Sequence, residues 1–333
     1  MAIKMILALI SSLILTVVLL PLLIKILKKQ KMQQNILSYV TMHKQKQGTP
    51  TMGGIAFVFS IIVVSLIFCQ GFNSLSLMAL VITLAFGLIG FLDDFIKFKF
   101  KRNLGLRAYQ KILSQVIISI IVAVFVFKSE HIGSTINIPF VNLTFNIGLG
   151  IIPFVIFIFL ATTNSVNLTD GLDGLAGFVS INFLLTFALT MIAQLNFRLD
   201  GLNSITLNEF YNLIIVCFAA IGALIGFLVF NFNPASVFMG DTGSLALGGL
   251  IASVAIFSRN SLFIPVIGLC FVLSSVSVII QVAYFKLTKK RVFLMAPLHH
   301  HFEKKGIKET KIVVCYGVIT LVLGLVCLLF ELV

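Results

Sequence analysis

Apolar runs follow one another along almost the whole chain, and no other feature limits its fold as strongly. A helix needs roughly 20 apolar residues to cross the about 30 Å of hydrocarbon in a bilayer. Ten stretches of that character can be marked: Met5 to Ile26, Met52 to Phe68, Leu75 to Leu92, Ile112 to Phe127, Leu149 to Thr162, Leu175 to Ala193, Phe210 to Phe230, Gly243 to Phe257, Leu262 to Phe285 and Ile312 to Phe330. With 59% hydrophobic and 11% charged residues and a mean hydropathy of +1.13, the composition excludes an ordinary soluble domain. The expectation is an all-α polytopic membrane protein of ten transmembrane helices. No repeat and no Pro-, Gly- or Ser-rich linker divides it, so residues 1–333 form a single membrane domain. Between Ser129 and Gly148 the segment INIPFVNLTFNI has the alternation of a short exterior β-hairpin.

Charge orients the spans. The first run resembles a secretory leader, but it is long, lacks an A-x-A site and ends in Lys25, Lys28, Lys29 and Lys31, so it reads as a retained helix. Only Lys4 precedes it, which puts the amino terminus outside. Under that topology the connections after spans 1, 3 and 9 gather twenty of the 24 Lys and Arg residues on the inner side, leaving Lys4, Lys128, Arg198 and Arg259 outside. The positive-inside rule thus absorbs most of the net charge of +13. No nucleic-acid partner is needed to explain it, and anionic membrane lipids or an anionic substrate are the natural partners. The five cysteines form no CxxC pair and no metal-ligand spacing, and they read as small apolar side chains. Asn142-Leu143-Thr144 and Asn167-Leu168-Thr169 match the glycosylation sequon, a pattern too short to carry weight.

The acids are distributed less evenly than the apolar residues. Five of the six aspartates, Asp93, Asp94, Asp170, Asp173 and Asp241, fall at the inner ends of spans, and only Asp200 is outside. They stand in greasy surroundings such as GFLDDFIK and FNFNPASVFMGDTG, where carboxylates are costly and mark a functional site that supplies a counter-charge. Asp170 and Asp173, in NLTDGLDGLAG, are spaced to share one face of the helix that begins there. Several like charges in one place repel unless a cation joins them. The hard-oxygen set, with Asn167, Asn231 and Asn233 nearby, suits Mg²⁺ or Mn²⁺ better than zinc.

Three further stretches complete the inner side. In QGTPTMGGIAF, Thr49 and Thr51 are spaced to cap a helix amino terminus, which is a ready anion site. PLHHHFE puts three histidines in a row, a spacing that cannot chelate one ion from a regular helix and better suits donors to phosphate. The ninth span contains Pro265 and is expected to bend.

The motifs TPTMGGIAF, GFLDDFIK, NLTDGLDGLAG, NPASVFMGDTGSLALGG and PLHHHFE, in this order from residue 49 to 303, resemble phospho-N-acetylmuramoyl-pentapeptide transferases, of the polyprenyl-phosphate N-acetylhexosamine-1-phosphate transferase superfamily. The resemblance implies both termini outside, a homodimer in the bacterial inner (cytoplasmic) membrane with its active site on the cytoplasmic side, and Mg²⁺-dependent transfer of phospho-MurNAc-pentapeptide from UDP-MurNAc-pentapeptide to undecaprenyl phosphate. UMP and lipid I are the products. It implies Asp241 as the metal ligand, Asp93 as base or nucleophile, Asp94 and Asp170 as supports for metal and phosphates, His299 among the catalytic groups, and Asp173 with Asn167 in the nucleotide region. Lys46, Thr51, Asn231, Gly240, Ser244 and His300 would line substrate, with Phe238 on the uracil and Gln281 near it. The family often has a lysine where this chain has Tyr109, so that contact passes to Lys111 or Arg107. Two alternatives remain: a GlcNAc-1-phosphate transferase, and a transporter, which would need polar residues at mid-membrane depth.

Overall fold

The structure, a computed structural model, describes residues 1–30, 32, 46–69, 74–100, 105–141, 143–197 and 204–332. Lys31, Lys44, Lys101, Arg102, Arg198, Asp200 and Asn142 lie outside the described residues. The helices are α1 (Ala2–Lys29), α2 (Gly54–Phe68), α3 (Ser74–Lys99), α4 (Ala108–Lys128), α5 (Ile151–Thr169), α6 (Leu175–Phe197), α7 (Ser204–Asn231), α8 (Gly240–Phe257), α9 (Ile264–Ile267), α10 (Leu269–Thr288), α11 (Leu298–Lys304) and α12 (Glu309–Leu332). Nine of these are long and apolar enough to cross a membrane, and α2, at 15 residues, takes the place of the remaining expected span. The expected hairpin forms from β1 (Thr135–Ile138) and β2 (Leu143–Asn146), antiparallel with Thr135 opposite Asn146.

The helix α8 is the axis of the bundle, buried from Thr242 to Phe257 and packed against α3, α5 and α2. Helices in lipid gain little from burying apolar surface against each other and instead associate where small residues let backbones approach. At Gly90 of α3 an added Cβ would run into the Asp241 backbone carbonyl. That crossing brings the acids of α3 against the amino terminus of α8.

The two ends of the bundle differ. At one end the hairpin is tied to the α8–α9 connection, where Asn137 N–H donates to the Arg259 carbonyl at 3.1 Å and its side-chain amide to Asn260 at 3.0 Å. The ring of Phe330, near the end of α12, packs on Phe140 of the hairpin turn. Backbone contact of Gly222 with Leu9 and of Gly226 with Leu13 makes α1 run in the same sense as α7. The start of α1 and the end of α12 therefore lie at the hairpin end, opposite the acids. The ninth expected span is interrupted, but at Gly268, three residues beyond Pro265. Proline fits the first turn of the short α9, where its missing N–H costs nothing, and the break falls to the glycine.

Candidate functional site

The helix α3 continues to Lys99, so Asp93 and Asp94 sit one turn inside it and Lys97 follows them on the same face. Lys97 Nζ lies 2.6 Å from Asp93 Oδ2, 3.8 Å from Asp94 Oδ1 and 2.9 Å from Asp241 Oδ2. A second ammonium, Lys111 of α4, reaches the same Asp241 oxygen at 2.9 Å, while Asn167 donates to the other at 2.8 Å and to Ser244 Oγ at 2.8 Å. Asp93, Asp94 and Asp241 each offer one oxygen such that the oxygens lie within 4.8 Å of one another.

Their surroundings separate their uses. Asp94 is buried and accepts from Thr242 N–H at 2.9 Å, Thr242 Oγ1 at 2.8 Å and Asp241 N–H at 3.3 Å. It caps α8 from another helix, a favourable place for a negative charge, and so aims Asp241. Asp93 accepts the Leu106 N–H at 2.8 Å.

The turn after α5 joins this cluster to two others. Asp170 is the C-terminal cap of α5 and Asp173 precedes the start of α6 at Leu175, so the pair does not share a helical face as expected. The turn between the helices aims them apart. The Asp170 carboxyl has no hydrogen-bond or ion-pair partner among the described residues, and burial, then the charges of Asp241, Asp94 and Asp173, push it well above the usual carboxylate range. Asp173 turns the other way. Its Oδ1 meets Lys46 Nζ at 2.6 Å, its Oδ2 accepts from Ala235 N–H at 3.0 Å and Asn233 at 3.3 Å, and its own N–H donates to Glu309 Oε1 at 2.6 Å. Glu309 also takes Lys46 at 2.6 Å and Asn233 at 2.9 Å. Between the two acids lies Gly171, where a Cβ would collide with the ring nitrogens of His299 and His300.

The three histidines do separate things. His299 is buried against Tyr316 and His300, His300 Nδ1 lies 2.9 Å from Glu303, and His301 Nδ1 accepts the Leu294 N–H at 3.1 Å. Gln281 accepts the Phe293 N–H at 2.9 Å and so holds the segment before α11. Asn231 braces the Gly174 N–H at 3.1 Å and the Val237 carbonyl at 2.8 Å.

One expected anion site is corrected. Thr49 and Thr51 do not cap α2, whose N-cap is Gly53 with no side-chain bond. The N–H groups of Gly53 and Gly54 donate to the carbonyls of Phe238 at 2.8 Å and Met239 at 3.0 Å, leaving none for an anion. The loop instead lays Thr51 beside Gly240, where a Cβ would stand 2.8 Å from Thr51 Oγ1. Tyr109 is 61% exposed and Arg107 faces outward, whereas Lys111 reaches Asp241.

Lys97 and Thr242, which stand inside the motifs GFLDDFIK and NPASVFMGDTGSLALGG, and Glu309, which stands in none, join these clusters. Lys97 carries a signal, four residues after Asp93 on one helix face. Glu309 carries none, being 136 residues from Asp173.

Residues 76–259 match the family model described as glycosyl transferase family 4, and residues 46–58 match phospho-N-acetylmuramoyl-pentapeptide-transferase signature 1. The chain is 44% identical to the phospho-N-acetylmuramoyl-pentapeptide-transferase of Clostridium novyi (strain NT) over 90% of its own length and 89% of the relative's. It is 44% identical to that of Clostridium perfringens (strain 13 / Type A) over 96% of both chains. To that of Caldanaerobacter subterraneus subsp. tengcongensis it is 46% identical over 84% of this chain and 83% of the relative.

Proposed function

Because the chain belongs to the phospho-N-acetylmuramoyl-pentapeptide-transferase family, membrane transferases of peptidoglycan synthesis, we propose that the acidic end of its bundle moves phospho-MurNAc-pentapeptide from UDP to undecaprenyl phosphate, with UMP and lipid I as products. The observation that carries this is the convergence of Asp93, Asp94 and Asp241 within 4.8 Å, with Asp170 facing them unpartnered. Like charges of that density call for a cation, and an all-oxygen donor set fits Mg²⁺. Asp241 is the metal ligand in this reading, with Asp93 beside it and Asp94 and Asp170 in support. When bound, Mg²⁺ supplies charge neutralisation and alignment of the two phosphates.

The chain's own residues do the rest. Lys97 and Lys111, which both reach Asp241, turn to the diphosphate and stabilise the charge that develops as the bond to UMP breaks. Asn167 keeps Asp241 from rotating. The lipid phosphate attacks in line. With a second pKa of about 6 it is already mainly a dianion at neutral pH, so Asp93 removes a residual proton and orients it. His299 and His300, packed on the Gly171 turn, face the phosphates, and Asp173, Lys46 and Phe238 form the nucleotide side, with Thr51, Asn231, Gly240, Ser244 and Gln281 around them.

The acceptor arrives from the bilayer along α10, whose final turns expose Val282, Phe285 and Leu287. The basic residues crowd the acidic end of the bundle, which supports a cytoplasmic site in the bacterial inner membrane with both termini outside, in a homodimer. The test is UMP release by the purified protein with Mg²⁺ and polyprenyl phosphate. Turnover of UDP-MurNAc-pentapeptide is expected. Preference for UDP-GlcNAc would move the protein to the other branch of the superfamily, and a labelled covalent phospho-sugar adduct formed without acceptor would replace direct attack by an aspartyl intermediate.

A further inference from the structure

Helix α4 is loosely anchored for a helix that supplies the site. Most of its surface faces outward, with Ile112, Leu113, Ile117 and Ile121 exposed, and its packing partners are α5 and α3. Among the described residues only two of its side chains make hydrogen bonds to another helix. One is Lys111, on Asp241. The other is Gln115, one turn further into the membrane, which is 0% exposed and whose Oε1 accepts from Asn164 Nδ2 of α5 at 2.7 Å. Asn164 Nδ2 also bonds the Leu160 carbonyl at 2.8 Å, and Gln115 Nε2 has no hydrogen-bond partner among the described residues.

A buried amide that leaves one donor unmatched costs stability that an apolar side chain of the same size would not. The presence of such a group is therefore better explained by geometry than by packing strength. In an otherwise apolar helix interface a single polar pair fixes register and rotation, because every slipped arrangement strands both groups in hydrocarbon. The register fixed here is specific to the site. Lys111 lies four residues before Gln115, on the same face of α4. Asn167 lies three residues after Asn164, on the same face of α5, and it holds the second oxygen of Asp241. One amide pair thus stands a single turn behind both groups that grip the two oxygens of Asp241.

We propose that Gln115, through Asn164, is a positioning residue for the transfer reaction, setting the rotation of α4 so that Lys111 meets Asp241. The inference rests on the functional reading given above. An isolated rotation of about 100° per residue would carry Lys111 out of the site without unfolding anything, so the effect belongs in kcat rather than in stability or KM.

The experiment uses full-length protein in nanodiscs. Gln115→Met, similar in length and without the amide, is expected to lower kcat about three- to tenfold, the size of one interhelical hydrogen bond in a membrane, with KM unchanged and the thermal midpoint not lowered. Lys111→Met is expected to cost about a hundredfold, as for the loss of a charge-stabilising group, and adding Gln115→Met to it should cost less than about twofold more, since one acts through the other. Asn164→Ala breaks the same bond from the other helix and carries the same expectation should Gln115→Met fail to purify. Independently of turnover, amine-reactive labelling of Lys111, read by mass spectrometry, should quicken severalfold in either variant. Unchanged labelling, or losses that multiply in full with Lys111→Met, overturn the proposal. A wild type that releases no UMP, yet whose Lys111 labelling responds to Gln115→Met, would sink the functional reading and leave the positioning role standing.

Discussion

Two acidic clusters flank one turn of the chain, and they are built from the same residue types to different ends. Around Asp173 and Glu309 every carboxylate oxygen meets a protein donor: Lys46, Asn233, the Ala235 N–H or the Asp173 N–H. That cluster ties together the 46–51 loop, the turn before α6, the α7–α8 connection and the start of α12. Around Asp241 three acids converge on one another and share two lysine ammoniums, while Asp170 adds a fourth carboxyl with no donor among the described residues. Closed pairing makes a brace, whereas an excess of charge held by long, movable side chains makes a place for something that arrives and leaves.

The largest effect expected from this contrast is on turnover. Asp241→Asn should lower kcat by on the order of a thousandfold, and it should also lower the thermal midpoint in the absence of divalent ions, because Lys97 and Lys111 lose the carboxylate they both meet. Mg²⁺ should raise the midpoint of the wild type by mass action and leave that of Asp241→Asn unmoved. A Mg²⁺ shift retained in full by Asp241→Asn would remove the metal from this cluster. Glu309→Gln should respond to the ion in the opposite way. Its Mg²⁺ shift should persist, while stability falls by about 1–3 kcal/mol because charge-assisted bonds to Lys46 and the Asp173 N–H are weakened. KM for the nucleotide substrate should rise severalfold as Lys46 loses its anchor. If Glu309→Gln instead abolished the Mg²⁺ shift, the two clusters would be one site.

How much of this contrast can be read from the chain alone depends on distance in sequence. The spans are legible because lipid demands long unbroken apolar helices, and the hairpin because Ile136 and Ile138 alternate with polar positions. Asp93, Asp94 and Asp241 are legible as a site because charges in such surroundings have few structural uses. What separates Asp170 from Asp173 is not legible. Three residues on a helix would point them together, and only the turn between α5 and α6, with Gly174 at φ +79°, sends them apart. Glu309 is hidden for a different reason: at the head of α12 an acid looks like an ordinary first-turn residue, and its role appears only once the fold brings Lys46 to it across 263 residues. Thr49 and Thr51 mislead because the helix amino terminus they seem to cap is already bonded to the 238–239 carbonyls.

The smallest effect concerns Asp170, and its sign is distinctive. Burial and three neighbouring acids raise its carboxyl above the usual range, so the folded chain binds this proton more tightly than the unfolded chain does. Stability from this group is then fully present below the ordinary carboxylate range, and it falls as pH rises through the window between that range and the raised folded value. Asp170→Asn removes the dependence, so without divalent ions its thermal midpoint should match the wild type in acid and exceed it at neutral pH. Adding Mg²⁺ should close the gap from the wild-type side, since a cation among the acids lowers the cost of ionising Asp170. A gap that widened toward low pH would mean that Asp170 is held ionised by a donor, and the two clusters would then differ less in their charge balance than their geometry implies.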